Sequence, residues 1–297
     1  MIAAQAPLRE FTTGFARDRI AVTALVALVV ILLAAILAPW VTPQNPYNLA
    51  QLDILDSKLP PGMEATAGFT FWMGSDEQGR DMYSAILYGL RISLGVGASS
   101  TVIALALGMA IGLISAYAGG WLDNLIMRLV DLQLSFPSIL IALILLAVVG
   151  QGVDKIVIAL ITVQWAYYAR TVRGAALAEK RKEYVDAARV MAFNNTRIVF
   201  RHILPNVLPP LIVVATVQVA HAIALEATLS FLGLGMPITA PSLGLLISNG
   251  FAHLLSGRYW ISFFPGIALL ITIVAINLVG DRLRDVLNPR LASHYGV

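Results

Sequence analysis

The charged and polar side chains that could do chemistry are few in this chain of 297 residues, and many of them lie close together. Only 12% of the residues are charged, whereas 58% are hydrophobic. Residues 183–206, EYVDAARVMAFNNTRIVFRHILPN, form a charged segment between two long apolar runs. Good helix formers on both sides of an Asn-Asn pair predict a hairpin of two short helices, to which a soluble partner protein could bind.

The residue types exclude several kinds of catalytic site. The absence of cysteine excludes disulfides, thiolate metal sites and cysteine nucleophiles. Neither a Gly-x-x-x-x-Gly-Lys-Ser/Thr phosphate loop nor a His-Glu-x-x-His helix occurs. The four histidines lack metal-ligand spacing: His202, His221, His253 and His294. We therefore expect no catalytic residue, no metal site and no cofactor in this chain.

Six apolar runs indicate that the elements around the hairpin are membrane helices. Most of the runs approach the roughly 20 residues that a spanning helix needs. They cover residues 20–38, 92–117, 125–149, 156–172, 207–232 and 261–280. The first run is longer than the apolar region of a signal peptide and no clear cleavage site follows it, so we expect a retained anchor.

The lysines and arginines predict the orientation in the membrane. Fifteen of the 20 lie in the two termini, beside the third span or in the segment between the fourth and fifth spans, whereas only Lys58, Arg80, Lys155 and Arg258 lie in the alternate loops and Arg91 lies at a boundary. Because cytoplasmic segments carry the excess of positive charge, both termini and the hairpin should face the cytoplasm. We divide the chain into residues 1–90, with the N-terminus, first span and outer loop, and a five-helix core, residues 91–297, which includes a cytoplasmic loop at residues 173–206 and a cytoplasmic C-terminus.

The outer loop contains a second group of polar residues. Ser75 and Gln78 have the spacing of a capping box, which predicts that a helix begins there and leads towards the second span. A cap alone does not explain the neighbouring charged residues. We regard Asp76, Arg80 and Asp81 as candidates for a gate or a translocation pathway.

Residues 179–191 contain neither Gly nor Pro, which predicts a helix of about three turns. Tyr184, Ala187, Ala188 and Met191 recur at offsets of three and four and form a weakly apolar stripe. We expect the second helix of the hairpin to cover residues 196–203. The alternative is a solvated loop that only fixes topology, but topology requires positive charge rather than two helices and a turn.

Ionisable groups within the apolar runs are functional candidates by default. His221 and Glu226 are five positions apart, about 140° around a helix, so they should not share a face. Glu226 either lines a pathway or bonds a neighbouring helix, and both interpretations remain open. Arg128 and Asp131 have the spacing of a local ion pair.

Several blocks resemble one family of transport proteins. The segment Asp186-Ala187-Ala188, with Leu204-Pro205 downstream, resembles the EAA loop of type I ABC importer permeases. Further blocks resemble the C-type permease of dipeptide and oligopeptide importers, and the likeness covers residues 9–292. These blocks are GSD at 74–76, GRD at 79–81, GWLD at 120–123, FP at 136–137, AR at 169–170, RHILPN at 201–206, LSFLGLG at 229–235 and NLVGD at 277–281.

The resemblance implies an all-α membrane protein with six transmembrane helices and a cytoplasmic coupling hairpin between the fourth and fifth. Such a chain forms half of a heterodimeric pore in a bacterial inner membrane, with no affinity for nucleic acid. The implied partners are a homologous permease, two cytoplasmic ATPase subunits that bind ATP and Mg, and an external substrate-binding protein. The family includes importers of peptides, nickel chelates, glutathione and oligosaccharides, of which peptides are the commonest substrates.

The resemblance also assigns candidate sites. The ATPase-coupling candidates are Glu183, Tyr184, Asp186, Ala187, Ala188, Arg189, Ala192, Asn194, Asn195, Arg201, His202, Leu204 and Pro205. The pathway or gate candidates are Asp76, Arg80, Asp81, His221, Glu226 and Ser230. Two rival classes are weaker, because a stand-alone secondary transporter or channel should show more buried acids and an intramembrane hydrolase should show a paired nucleophile and base.

One position departs from the family pattern. Ala192 stands where glycine is usual, with three residues between it and the Ala-Ala pair, and alanine disfavours a left-handed backbone. We therefore expect the turn of the hairpin to move to Asn194 or Asn195. Asp186 also replaces the usual Glu, which keeps the charge but shortens its reach.

Overall fold

The computed structural model describes residues 14–287, and within them the regular secondary structure is helical apart from two isolated β-bridges. Both chain ends, with Arg9 and Arg290, lie outside the described residues. The helices are α1 (Arg19–Val41), α2 (Met82–Ala118), α3 (Gly120–Ser135), α4 (Ser138–Val149), α5 (Val153–Lys180), α6 (Glu183–Val190), α7 (Asn195–Ile198), α8 (Leu204–Phe231), α9 (Leu243–Phe251) and α10 (Trp260–Leu287).

Four continuous helical stretches in residues 14–287 are long and apolar enough to cross a membrane. They are Arg19–Val41, Met82–Ala118, Asn195–Phe231 and Trp260–Leu287. The pair α3 and α4 would provide a fifth crossing if taken together. The predicted number of six is therefore not reached on length and composition. The fourth predicted span lies in α5, whose apolar character is reduced by Gln164, Arg170 and Arg173.

The predicted third span, residues 125–149, is not one straight helix. α3 and α4 meet at an angle of 89°. Phe136 adopts an extended backbone with φ −92° and ψ 143°. The ring of Pro137 pushes the preceding residue out of the helical region, which accounts for the break.

α2 and α5 approach each other unusually closely through two glycines. A Cβ atom on Gly108 would lie 2.5 Å from both the Trp165 carbonyl oxygen and the Tyr168 Cβ. A Cβ atom on Gly112 would lie 2.6 Å from the Ala169 carbonyl oxygen. Small residues four positions apart allow two membrane helices to pack with their backbones nearly in contact. This contact joins α2 and α5 into the central pair of the fold.

α1 is a peripheral helix. It packs through the small buried residues Ala35 and Ala38 against α2 and α10. Its outward side carries only large aliphatic residues along the middle of the helix, including Val26, Val30 and Leu33. This face has the composition expected of a surface that contacts lipid.

The outer segment between α1 and α2 is folded, but the predicted capping box does not form. Ser75 lies in an extended turn, where its hydroxyl accepts from Leu59 N at 2.7 Å and donates to the Asp56 carbonyl. α2 begins six residues later than the box predicts, with Asp81 as its N-cap accepting from Ser84 N at 2.9 Å. Long-range contacts of Ser75 replace the local cap that sequence spacing suggested.

We expect Gly108→Ala to destabilise the folded chain by about 1–3 kcal/mol, because the added methyl group has no space against the α5 backbone. The matched control is Gly95→Ala on the same helix, where nothing lies within 4 Å of the added Cβ. Thermal unfolding of the two detergent-solubilised variants measures the difference. Equal stability of both variants would contradict the close approach of α2 and α5.

Candidate functional site

The hairpin begins with a break after α5. α5 continues to Lys180, the chain bends at Arg181 and Lys182, and α6 covers Glu183–Val190. The predicted single helix over residues 179–191 is therefore wrong, since its first two residues belong to the long preceding helix. α6 is eight residues long.

The inner side of the hairpin packs onto the ends of α2 and α5. Val185 and Ala188 of α6 are buried together with Ile198 and Ile203 from the second half of the hairpin. The same apolar cluster includes Leu113 and Ala116 of α2 and Val172 and Ala176 of α5. The predicted apolar stripe is divided by this packing, because Ala188 is only 3% exposed whereas Ala187 and Met191 face outward.

Two polar connections fix the end of α5 and the hairpin to the end of α2. The Lys180 amine donates at 3.0 Å to the carbonyl oxygens of Ala116 and Tyr117, which are among the last carbonyls of that helix. The Tyr117 hydroxyl donates to the Asn195 side-chain oxygen. The start of α3 is held in the same region by a bidentate contact at 2.5 Å from Arg173 to Asp123.

Tyr184 connects the two halves of the hairpin. Its hydroxyl donates to the Glu179 carboxylate at 2.6 Å and accepts from the Asn206 amide at 3.2 Å. The same amide donates to the His202 carbonyl oxygen at 2.7 Å. Burial, followed by the hydrogen bond to Glu179, raises the pKa of Tyr184 to about 12, so the hydroxyl keeps its proton at neutral pH.

The turn of the hairpin forms at Ala192 itself. Ala192 has φ 56°, in the left-handed region. Its N–H donates to the Arg189 carbonyl at 2.9 Å, and the next N–H, of Phe193, donates to the Ala188 carbonyl at 3.1 Å. These two bonds form a Schellman motif, in which the left-handed position is usually glycine. The expectation that the turn moves to Asn194 or Asn195 is wrong, since the two hydrogen bonds keep the alanine in place.

The asparagines instead start the next helix. Asn194 has φ −59°, and its side chain accepts from Thr196 N at 3.4 Å as the N-cap of α7. The expected helix over residues 196–203 does not stop before the fifth span. α7 continues through a π-helical turn, Val199–Ile203, into α8. Pro205, in the first turn of α8, lacks an N–H, and Leu204 N bonds the Val199 carbonyl with the wider spacing of a π-turn.

The outer candidates Asp76, Arg80 and Asp81 are all buried. Asp76 and Arg80 form an ion pair at 2.6 Å with side chains 0% and 2% exposed. Arg80 also donates to the Ile238 carbonyl oxygen at 3.1 Å, which joins the outer segment to the connection between α8 and α9. These contacts hold the segment between α1 and α2 against the connection between α8 and α9. Their role in a gate stays a prediction.

Glu226 bonds a neighbouring helix, one of the two interpretations left open. Its carboxylate accepts at 2.8 Å from Ser93 of α2 and at 2.8 Å from Ser230, one turn later on α8. His221 lies on an exposed face of α8, and the two side chains do not share a face. Glu226 is therefore hydrogen-bonded inside the bundle, whereas His221 lies on its surface.

The expected local pair between Arg128 and Asp131 does not form. Asp131 accepts instead from Arg170 of α5, so the contact joins two helices. The sequence spacing identified Asp131 as a member of an ion pair but did not identify Arg170 as its partner, because helical periodicity does not predict a contact 39 residues away.

Several residues that position the helices and the hairpin were not predicted from the sequence. The pattern Gly108-x-x-x-Gly112 was a readable signal for close helix packing. The contacts of Lys180 and Tyr117 had no comparable local signal, since their partners are main-chain carbonyls and a distant amide.

The fold is that of a chain in a solved ABC transporter. The chain is similar to two inward-facing structures of the MetNI methionine ABC transporter, with 20% identity and TM-scores of 0.56 and 0.59. The matches cover 69% and 70% of this chain and 96% and 98% of the solved chains. At this identity the likeness concerns the fold alone.

Sequence comparison then identifies the family. Residues 108–293 match the binding-protein-dependent transport system inner membrane component family, and residues 6–61 match the N-terminal transmembrane domain of oligopeptide transport permease C. The chain belongs to this family of binding-protein-dependent permeases and is a permease subunit of an ABC importer.

Its relatives carry several substrate names. A di/tripeptide transport system permease of Pseudomonas aeruginosa is 37% identical over 97% of this chain and 93% of its own length. A dipeptide permease of Haemophilus influenzae is 35% identical over 97% of both chains. A glutathione permease of Pectobacterium atrosepticum is 37% identical over 97% of this chain and 92% of its own length.

We expect Ala192→Gly to stabilise the hairpin by about 1 kcal/mol, because glycine removes the cost of a left-handed alanine. The control is Ala187→Gly, an exposed helical position where glycine should cost about 0.5–1 kcal/mol. Amide hydrogen exchange over residues 183–206 should slow in the first variant and accelerate in the second. Faster exchange in Ala192→Gly would contradict the turn described here.

Proposed function

We propose that this chain forms half of the translocation pore of an ATP-driven peptide importer, and that residues 183–206 couple the pore to separate ATPase subunits. In this proposal the chain crosses the membrane six times, with α3 and α4 as one broken crossing and α5 as the fourth. Both termini and the hairpin lie in the cytoplasm, on the side favoured by 15 of the 20 basic residues.

The observation that carries the proposal is an exposed apolar surface on a firmly held hairpin. Val190 is 87%, Met191 66% and Phe200 61% exposed. Large apolar side chains on a segment rich in charged residues suit a protein contact better than open solvent or lipid. Because the other side of the hairpin is buried against α2 and α5, a force applied to this surface reaches the membrane helices directly.

The coupling candidates divide into two groups. Glu183, Asp186, Ala187, Arg189 and Arg201 are exposed and free to contact an ATPase subunit. Tyr184, Ala188, His202 and Leu204 are at least partly buried and hold the hairpin together. Asp186 bonds Arg189 at 2.7 Å, an exposed pair that contributes little stability and can exchange its partners on docking.

The partners follow from what the chain lacks. The full sequence contains no phosphate loop, so ATP and Mg should bind to the two ATPase subunits, and this chain would act as a transport subunit without catalysis. A homologous permease would complete the pore, and an external substrate-binding protein would deliver the substrate to the folded outer segment. ATP binding would then favour one arrangement of the helices over another.

Peptides are the proposed substrates because relatives named for peptide transport match almost the whole chain. The glutathione permease matches to a similar extent, and glutathione is itself a small peptide. Nickel chelates and oligosaccharides are the remaining alternatives within the same machinery. The ligand that co-purifies with the binding protein of this system would decide among them.

We expect Val190→Asp to remove most substrate-stimulated ATP hydrolysis while leaving folding intact, because the side chain touches little of its own chain. A buried charge at such a contact should weaken docking by several kcal/mol. Co-purification with the ATPase subunits and ATPase assays on the reconstituted complex measure the effect.

The control is Val148→Thr, a conservative change at a similarly exposed position of α4 outside the hairpin. This variant should couple normally. Ala188→Trp is a poor probe of docking, since Ala188 is buried within the chain. Normal coupling in both Val190→Asp and Asp186→Lys would defeat the proposal.

A further inference from the structure

An ion pair between α3 and α5 is unexpectedly exposed for its position in the bundle. The Asp131 and Arg170 side chains are 65% and 51% exposed although they contact each other. Arg170 lies ten residues before Lys180, the last residue of α5, and is therefore about 15 Å from Lys180 along the helix. Lys180 in turn contacts the end of α2. The ion pair therefore lies deeper in the helix bundle than the hairpin does.

On α5 the surface beside the pair differs from a lipid-facing surface, whereas on α3 the neighbours Leu129 and Leu132 are exposed. Along α5 the exposed positions beside Arg170 are Tyr167, Gly174 and Ala178, which together form a polar and small-residue stripe. The outward face of α1, in contrast, carries Val26, Val30 and Leu33 at its centre. Charged groups facing hydrocarbon cost about 2.5–3.5 kcal/mol each, whereas the same groups facing water do not incur that cost.

The stripe also leads towards the cytoplasmic hairpin. At the end of α5 it meets an open surface cavity lined by Leu177, Lys180, Arg181, Asp186 and Arg189. Exposed positions without large aliphatic side chains thus extend along α5 from Tyr167 to the end of the helix. A face of this kind, with a charged pair at its centre, fits a water-filled space shared with a second subunit.

We propose that the Asp131–Arg170 ion pair and the stripe on α5 line the cytoplasmic half of the translocation pathway. This inference rests on the proposed function. The carboxylate of the pair can bond an ammonium group and its guanidinium can bond a carboxylate, which are the two charged ends of a peptide. A passing substrate can therefore replace one member of the pair at a time.

The absence of cysteine in the chain allows a direct test, because a single introduced cysteine is the only thiol that this chain contributes. Gly174→Cys is the probe on the stripe, and Gly266→Cys on α10 is the matched control. Neither glycine has an atom within 4 Å of an added Cβ. Each lies six residues from a helix end, Lys180 or Trp260, and Gly266 is flanked by the exposed apolar residues Phe263 and Leu270.

The complete complex, with its ATPase subunits and permease partner, is treated in proteoliposomes with a charged, membrane-impermeant methanethiosulfonate present on both sides. Because such reagents need a solvated thiolate, modification at position 174 should be at least about tenfold faster than at position 266. Trapping the ATPases with ATP and vanadate should slow modification at position 174 severalfold. Equal rates at both positions overturn the inference.

The reagent could reach position 174 from the membrane surface without any water-filled pathway. Tyr167→Cys tests that explanation. Position 167 is 13 residues before Lys180, about 20 Å along the helix. It should also be modified, and modification of position 174 without position 167 overturns the inference. Peptide-stimulated ATP hydrolysis by the unsubstituted complex is measured first, and its failure contradicts the proposed function rather than the labelling pattern.

Discussion

The close approach of α2 and α5 at Gly108 and Gly112 is the contact on which the rest of the structure depends. Lipid is as apolar as a leucine side chain, so burial of apolar surface gives little drive for helices to associate in a membrane. Packing and hydrogen bonding must supply that drive instead. The missing side chains of the two glycines allow the α5 backbone to approach α2 to a distance that any Cβ atom would prevent.

The hairpin inherits its position from this helix pair. Its buried side chains fill the space where α2 and α5 end, and Lys180 joins the last carbonyls of α2 to the start of the hairpin. Tyr117 and Tyr184 add hydrogen bonds to both halves of the hairpin. The exposed apolar residues therefore stand on a rigid base, and the left-handed Ala192 is tolerated because the Schellman bonds around it are formed.

The sequence predicted the elements whose signals are local. Long apolar runs correctly located α1, α2, α8 and α10, and the charged segment contains the short helices α6 and α7. Properties that depend on distant residues were missed. The Pro137 break divided a run that hydropathy alone joins, and Ser75 bonded to distant loop residues rather than capping a helix. Asp131 pairs with Arg170 on another helix, and helical periodicity does not predict that partner.

If residues 183–206 couple ATPase subunits to the pore, the hairpin must move with α2 and α5 as one body, and a reversible cross-link tests this most directly. Tyr117→Cys and Asn195→Cys, introduced together into this cysteine-free chain, can be joined across the α2–hairpin contact by a short bis-methanethiosulfonate linker. If the two elements move as one body, the linked complex should transport at nearly the rate of the same complex after reduction. Loss of transport on linking and its recovery on reduction would show that the hairpin moves against α2, and would contradict the account.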